Sequence, residues 1–373
     1  MNQAPGRLHH ARRWLWTGAA IVAVLLVLRA FVADVRRVES GSMEPTLHTG
    51  EWVLVLLDAT PPRAGELVVA REAESGRPVV KRVVGLPGET VRLSAGDLYI
   101  DGVPRRASEA DEIWIEVADS AREPLANAWS VPAGWSNGPS GLRGDAGSGP
   151  LRLDSVDDGW PGPERVRGPH EVADMRVACE LACEGDAIFE LQLRQRGEAL
   201  LARLERRGAD LHAMLATAAA EASEPEWTIR ARATDKAAAA GVTQRFEFAV
   251  RDGRADLHVD GAELASIAPL GWRLHRADMA QEGRSYPPRA LVRFVAGAGE
   301  VRRLSVERDL HWQPVGAHAV QRELPLGPDQ CFLLGDASFQ SRDGRQWGPT
   351  ALADLVGRPV LVVWPPSGWR RPR

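Results

Sequence analysis

Three textures of hydrophobic and polar positions divide the chain. Trp14 to Ala33 is a nearly unbroken apolar run, interrupted only by Thr17 and Arg29. About 20 such residues are what a helix needs to cross a bilayer. The run is expected to be a transmembrane anchor, with Arg29 near enough to its end to reach the interface and Trp14 and Trp16 suited to the opposite boundary. A cleaved signal peptide is the alternative, because Arg7, Arg12 and Arg13 precede the run. The one tempting cleavage point follows Ala33 and would set Phe31 where a small residue is required, so retention is favoured. Three arginines before the segment and Arg29, Arg36 and Arg37 at or beyond its end leave the orientation undecided by charge.

The second texture is short β-branched runs separated by Pro, Gly and Asp turns. Glu51 to Asp58, Gly65 to Arg71, Pro78 to Val84 and Thr90 to Asp101 read as strands of a compact antiparallel unit. The same texture returns at Cys331 to Leu334 and Leu355 to Trp364, so the unit is expected to be split.

The third texture fills the space between. A Gly/Pro/Ser-rich stretch over 132–169 signals loops or a linker, and from Met175 onward strands dominate. Phe246, Phe248 and Val250 alternate with polar residues, and Arg251-Asp252-Gly253-Arg254 turns the chain into Ala255 to Val259. Similar runs occur at Ala187 to Arg194, Ala199 to Leu204, Ala290 to Val295 and Val301 to Val306. Regularly spaced short strands imply a sandwich or barrel. Leu211 to Ala222 fits a short Ala-rich helix or a strand. The fold class expected is mainly β: residues 1–13 an N-terminal tail, 14–33 the anchor, 34–109 and 321–373 two halves of one domain, and 110–320 an inserted β-rich domain.

Length and charge narrow the classes. With 373 residues there is room for more than one core, and a net charge of -4 gives no reason to expect nucleic acid as a partner. Cys179, Cys183 and Cys331 lack metal-site spacing, so no metal is expected and inert packing is the default, with a Cys179–Cys183 bridge as the alternative outside the cytoplasm. Lysine occurs only at Lys81 and Lys236, while arginine supplies every other basic side chain.

That bias bears on chemistry. A lysine with the ordinary pKa of ~10.4 is unprotonated in roughly one molecule in 10³ to 10⁴ at pH 7, a handicap of about 4–5 kcal/mol for a base. Burial removes much of that handicap, whereas arginine stays protonated. On a strand, Lys81 shares its face with Val79 and Val83. Just past the anchor lies Ser40-Gly41-Ser42-Met43-Glu44-Pro45-Thr46-Leu47. There one hydroxyl can attack a carbonyl while a backbone N–H and a neighbouring hydroxyl stabilise the oxyanion. The third stretch, Gly335 to Gly348, is dense in turn formers; Asp343 and Arg345 can pair across a loop and Ser341 can hydrogen-bond an amine, or the whole can be a solvated charged loop.

In this order after an N-terminal anchor, the three stretches resemble the boxes of bacterial type I signal peptidases, over about 34–105 and 326–365. The resemblance implies Ser42 as nucleophile, Lys81 as general base, and the Ser40 hydroxyl with the Ser42 N–H as oxyanion hole. It implies Ser341 as the serine orienting the lysine, and Asp343 and Arg345 as a bracing ion pair. Gly335, Asp336 and Arg82 would give structural support, and Val38, Met43 and Leu47 would lie near the pockets that accept Ala-x-Ala. Glu39 replaces a common proline and Ala337-Ser338 replaces the usual Asn-Arg, which bears on substrate preference and loop rigidity.

The family implies removal of signal peptides from preproteins, no cofactor, and a single-pass protein of the bacterial cytoplasmic membrane with its catalytic domain outside. The insertion is loosely similar in texture to concanavalin-type or laminin-G-like sandwiches, for which a glycan or protein partner and a mere spacer are both open. Two rivals stand beside this reading. One is a catalytically silent, anchored binding module, against which the presence of both Ser42 and Lys81 counts. The other is a self-cleaving Ser/Lys regulator, against which the anchor and the lack of a DNA-binding segment count.

Overall fold

The computed structural model describes Trp16 and residues 32–372, apart from 58–59, 95, 106–113, 122–123, 155, 157–171, 173, 196–197, 220–225, 252, 269–288, 311 and 321. The expected anchor over 14–33 lies almost entirely outside the described residues. Among those described, no helix is long and apolar enough to cross a membrane. The chain divides into two compact units, one made of Met1–Ser94, Leu98–Val103 and Pro314–Arg373, the other of Ala95–Asp97 and Pro104–Gln313. These seams fall ahead of the expected 110 and 320.

The first unit is built on a seven-stranded sheet that draws on both ends of the sequence. Its order is Ala33–Arg37, Trp52–Leu56, Leu355–Trp364, Leu67–Arg71, Pro78–Gly85, Gln330–Leu334 and Thr350–Ala351. Val53 and Val55 face inward and pack with Val38, Met43, Leu47, Leu67, Val69 and Val362, as strand alternation requires. Pro78–Gly85 is buried along its last five residues, the near-continuous burial of a central strand. A smaller four-stranded sheet joins Leu324–Pro325, Thr90–Ser94, Asp97–Ile100 and Val103–Pro104.

The second unit is a sandwich of an eight-stranded and a six-stranded sheet around one apolar core. Met175, Val177, Cys179 and Leu181 alternate inward from the first sheet, and Phe189, Leu191 and Leu193 from the second. The stretch read as helix or strand over Leu211 to Ala222 is a strand as far as it is described: Asp210–Ala219 pairs along its length with Glu198–Arg207, and Leu211, Ala213 and Leu215 alternate into the core. The stretch expected as linker contributes Leu142–Asp145 and Leu151–Leu153, which pair with Ala298–Asp309 and Arg289–Ala296. Short length and flanking Gly and Pro hid these strands. Cys179 and Cys183 are free. They lie four residues apart on one strand, about 13 Å by strand rise, well beyond the separation a disulfide can span.

Candidate active site

Ser42 lies in a single tight turn, Gly41–Met43, in the loop between the first two strands of the sheet. The chain is held there by Glu44 N–H donating to Gly41 O and Leu47 N–H to Met43 O, while Met43 and Leu47 plug the core beneath. Lys81 comes from the middle of Pro78–Gly85. Its Nζ donates to Ser42 Oγ at 2.6 Å, although the two residues are 39 positions apart. Ser40 Oγ donates to Ser42 Oγ at 3.3 Å.

Only 2% of Lys81 is exposed. Burial pulls its amine down from the ordinary 10.5 to about 8, against the opposing pull of the Asp343 and Asp336 carboxylates. At pH 7 about one molecule in ten therefore carries the free amine, and reversing the 2.6 Å contact lets the Ser42 hydroxyl donate to it. A hydroxyl beside a desolvated amine is the arrangement of an activated oxygen nucleophile.

The loop after Gln330–Leu334 closes the site. Ala337 N–H donates to Ser42 O at 3.1 Å. A Cβ on Gly335 would stand 2.5 Å from that same oxygen and against Ser341 Oγ, so only glycine admits this approach. Asp343 caps the short helix Gly344–Trp347 in a capping box with Gln346 and accepts the Gly335 N–H at 2.9 Å. Arg345 donates to both Asp343 oxygens at 2.9 and 2.8 Å, and to Ser338 Oγ and Ser338 O at 2.7 Å each. Asp343 and Arg345 are both buried, so a desolvated pair braces the loop. Ser338, one of the departures from the family pattern, is thus built into that brace. Arg82, on the opposite face of its strand from Lys81, holds Asp336 through two bonds of 2.8 and 2.5 Å.

Two expectations meet differences. Ser341 Oγ is buried without a hydrogen-bond partner, so the lysine-orienting bond is not made here. Val38, Met43 and Leu47 are at most 6% exposed; they fill the floor of the loop and none offers an open surface to a substrate side chain. Other supporting residues carried no signal of their own. Thr46 Oγ1 donates to Asp336 at 2.5 Å. Arg370 grips both oxygens of the buried Glu51 at 2.6 and 2.9 Å and donates to Thr46 O at 3.0 Å. Thr46 belongs to the Ser40–Leu47 string, where its hydroxyl could have been flagged; nothing local pairs Glu51 with a residue 319 positions away.

The geometry brings a serine hydroxyl and a buried lysine amine into direct contact, the pairing a Ser/Lys hydrolase would need. Residues 11–135 match the family model described as signal peptidase, peptidase S26. Signal peptidase I of Bacillus licheniformis is 40% identical over 92 residues, covering 23% of this chain and 50% of that protein. Signal peptidase I of Streptococcus pneumoniae is 40% identical over 81 residues, covering 22% and 39% respectively. Over this region the chain is similar to signal peptidases, and it spans half or less of the length of these relatives. Among solved structures, a kappa-carrageenase from Pseudoalteromonas carrageenovora is 9% identical, covering 54% of this chain and 97% of that one, with a TM-score of 0.33. A likeness at that level carries no argument.

Proposed function

We propose that the chain is a membrane-bound serine endopeptidase that removes signal peptides from exported preproteins after small residues in an Ala-x-Ala pattern. The observation that carries this reading is the 2.6 Å contact between the buried Lys81 amine and Ser42 Oγ. Free Lys81 amine takes the Ser42 proton as Oγ attacks the scissile carbonyl, and the oxyanion forms beside the Ser40 hydroxyl and the Ser42 N–H. Collapse transfers the proton from Lys81 to the leaving amine and leaves an acyl-enzyme. Lys81 then takes a proton from water, which hydrolyses the ester. Asp343, Arg345, Arg82, Asp336 and Gly335 hold the walls, and Ser341 would meet the amine once substrate closes the site. No cofactor takes part in these steps.

The proposed setting is the bacterial cytoplasmic membrane, with 14–33 as a single anchor, 1–13 inside and the catalytic unit outside. One sheet face supports apposition to lipid. Val35, Trp52, Leu56 and Trp364 are exposed beside the strand that begins at Ala33, and Trp369 is 66% exposed nearby in sequence; tryptophan suits the bilayer interface. Signal peptides still in the bilayer would meet the site there, and proximity would do much of the selection.

The test is cleavage of an Ala-x-Ala preprotein by the detergent-solubilised chain beside Ser42→Ala and Lys81→Met. Both variants are expected to lose activity by at least about a thousandfold. A folded parent that cuts none of several preproteins would overturn the reading in favour of an anchored binding module.

A further inference from the structure

The two outward faces of the sandwich differ in charge. On the eight-stranded sheet the ions neutralise each other: Arg176 lies between Glu247 and Glu307, and Arg254 between Asp256 and Glu263. On the six-stranded sheet Arg207 pairs with Glu205 and Lys236 with Asp210 in the same way, but one row carries an excess of cations. Strand register aligns Arg293, Glu190, Arg203, Met214 and Arg232 in one row across five strands. These side chains face away from the core, since the flanking Phe189, Leu191, Phe294, Leu204 and Ala213 point into it.

Glu190 is buried, and it fixes the two central arginines. Arg203 Nε and Nη2 lie 2.8 and 2.6 Å from one carboxylate oxygen. Arg293 Nε and Nη2 lie 2.7 Å from the other. Gln192 adds a donor at 3.0 Å. One anion thus orients two cations, each of which keeps its Nη1 group outside these bonds and about 40% of its side chain exposed. Arg232 is exposed at the same level of the sheet, and Arg152, also exposed and 3.6 Å from the Asp154 carboxylate, lies opposite Leu291 one row away.

At about 4.8 Å between strands, Arg293, Arg203 and Arg232 recur every 10 Å or so. That is close to the advance of a disaccharide along an extended polysaccharide. Guanidinium groups held rigid by a buried carboxylate suit planar bidentate recognition of carboxylate or sulfate. Half-sunk side chains on a sheet are less suited to a lipid surface, which long mobile cations reach more easily.

We propose that this sheet face binds a linear anionic polysaccharide, with Arg293, Arg203 and Arg232 taking successive acidic groups and Arg152 widening the cationic strip. Such binding is independent of Ser42 and Lys81.

The experiment is retention of the full detergent-solubilised chain on immobilised polygalacturonate and dextran sulfate, with neutral dextran as control. Retention on an acidic polymer is expected at low salt and is expected to be lost at about 1 M, where the screening length falls to roughly 3 Å. Arg232→Ser with Arg152→Ser should weaken it by about tenfold or more without touching the core. The triple change Glu190→Gln, Arg203→Gln, Arg293→Gln removes the charges together and should abolish it. Arg254→Ser on the other sheet should leave it unchanged. No retention on either acidic polymer, equal retention on neutral dextran, or full retention by the folded Arg232/Arg152 variant would overturn the proposal. So would binding confined to anionic phospholipid vesicles and lost in the same variants, which would assign the face to lipid headgroups.

Discussion

At the scale of single residues, Lys81 carries a cost that matches its use. Its folded pKa of about 8 lies below the ordinary 10.5, so folding disfavours the protonated form. The penalty is fully present below pH 8, of the order of 3 kcal/mol, and is relieved as pH rises toward 10.5. Lys81→Met is therefore expected to be inactive yet to melt higher than the parent at pH 7, with the difference shrinking by pH 10; equal melting temperatures at pH 7 would contradict it. In the parent, cleavage should rise with pH along a limb centred near 8. Asp343→Asn removes the carboxylate that most opposes the shift, so the limb should move to lower pH even as the rate falls with the loss of the brace. The meeting of Ser42 and Lys81 was legible because few residue types suit the proposed chemistry and lysine is scarce here. Thr46, Glu51 and Arg370 were not, because their bonds join residues about 290 to 324 positions apart, and no local pattern encodes such a pairing.

At the scale of elements, legibility followed burial. Strands with one face in a core alternate and were read nearly to their ends, as with Gln244–Arg251 and Arg254–Val259. Thr228–Lys236 went unread because most of its residues are exposed, so no apolar periodicity marks an edge strand rich in charge. The loop that carries Ser42 depends on an element just as quiet in sequence. The chain after Leu355–Trp364 turns back so that Arg370 bridges Val362, and from there it clamps Glu51 and Thr46. Arg370→Ala leaves the Glu51 carboxylate buried with the His48 N–H as its remaining donor, a cost of roughly 1–3 kcal/mol. The expected outcome is a lower melting temperature and a reduced kcat with the pH limb unmoved. A shifted limb would mean that the clamp acts on Lys81 instead of on the loop.

At the scale of the whole molecule, a sheet made from both ends of the sequence surrounds the site, and about 210 residues separate its halves. Closing a disordered loop of that length would cost roughly 5 kcal/mol. The sandwich lowers this once folded, because Trp312 N–H donates to Gly96 O and brings the entry and exit of the insertion together. Limited proteolysis is expected to leave a resistant fragment close to 104–313; rapid breakdown of that region would argue against an autonomous domain. The divided sheet also sets an order of events. The strand bearing Lys81 is flanked by Gln330–Leu334, and the strand after Ser42 by Leu355–Trp364, so the dyad has its walls only when the final strands have been made. On the proposed reading the nascent chain stays silent, zymogen-like, until Leu355–Trp364 has been made and has paired.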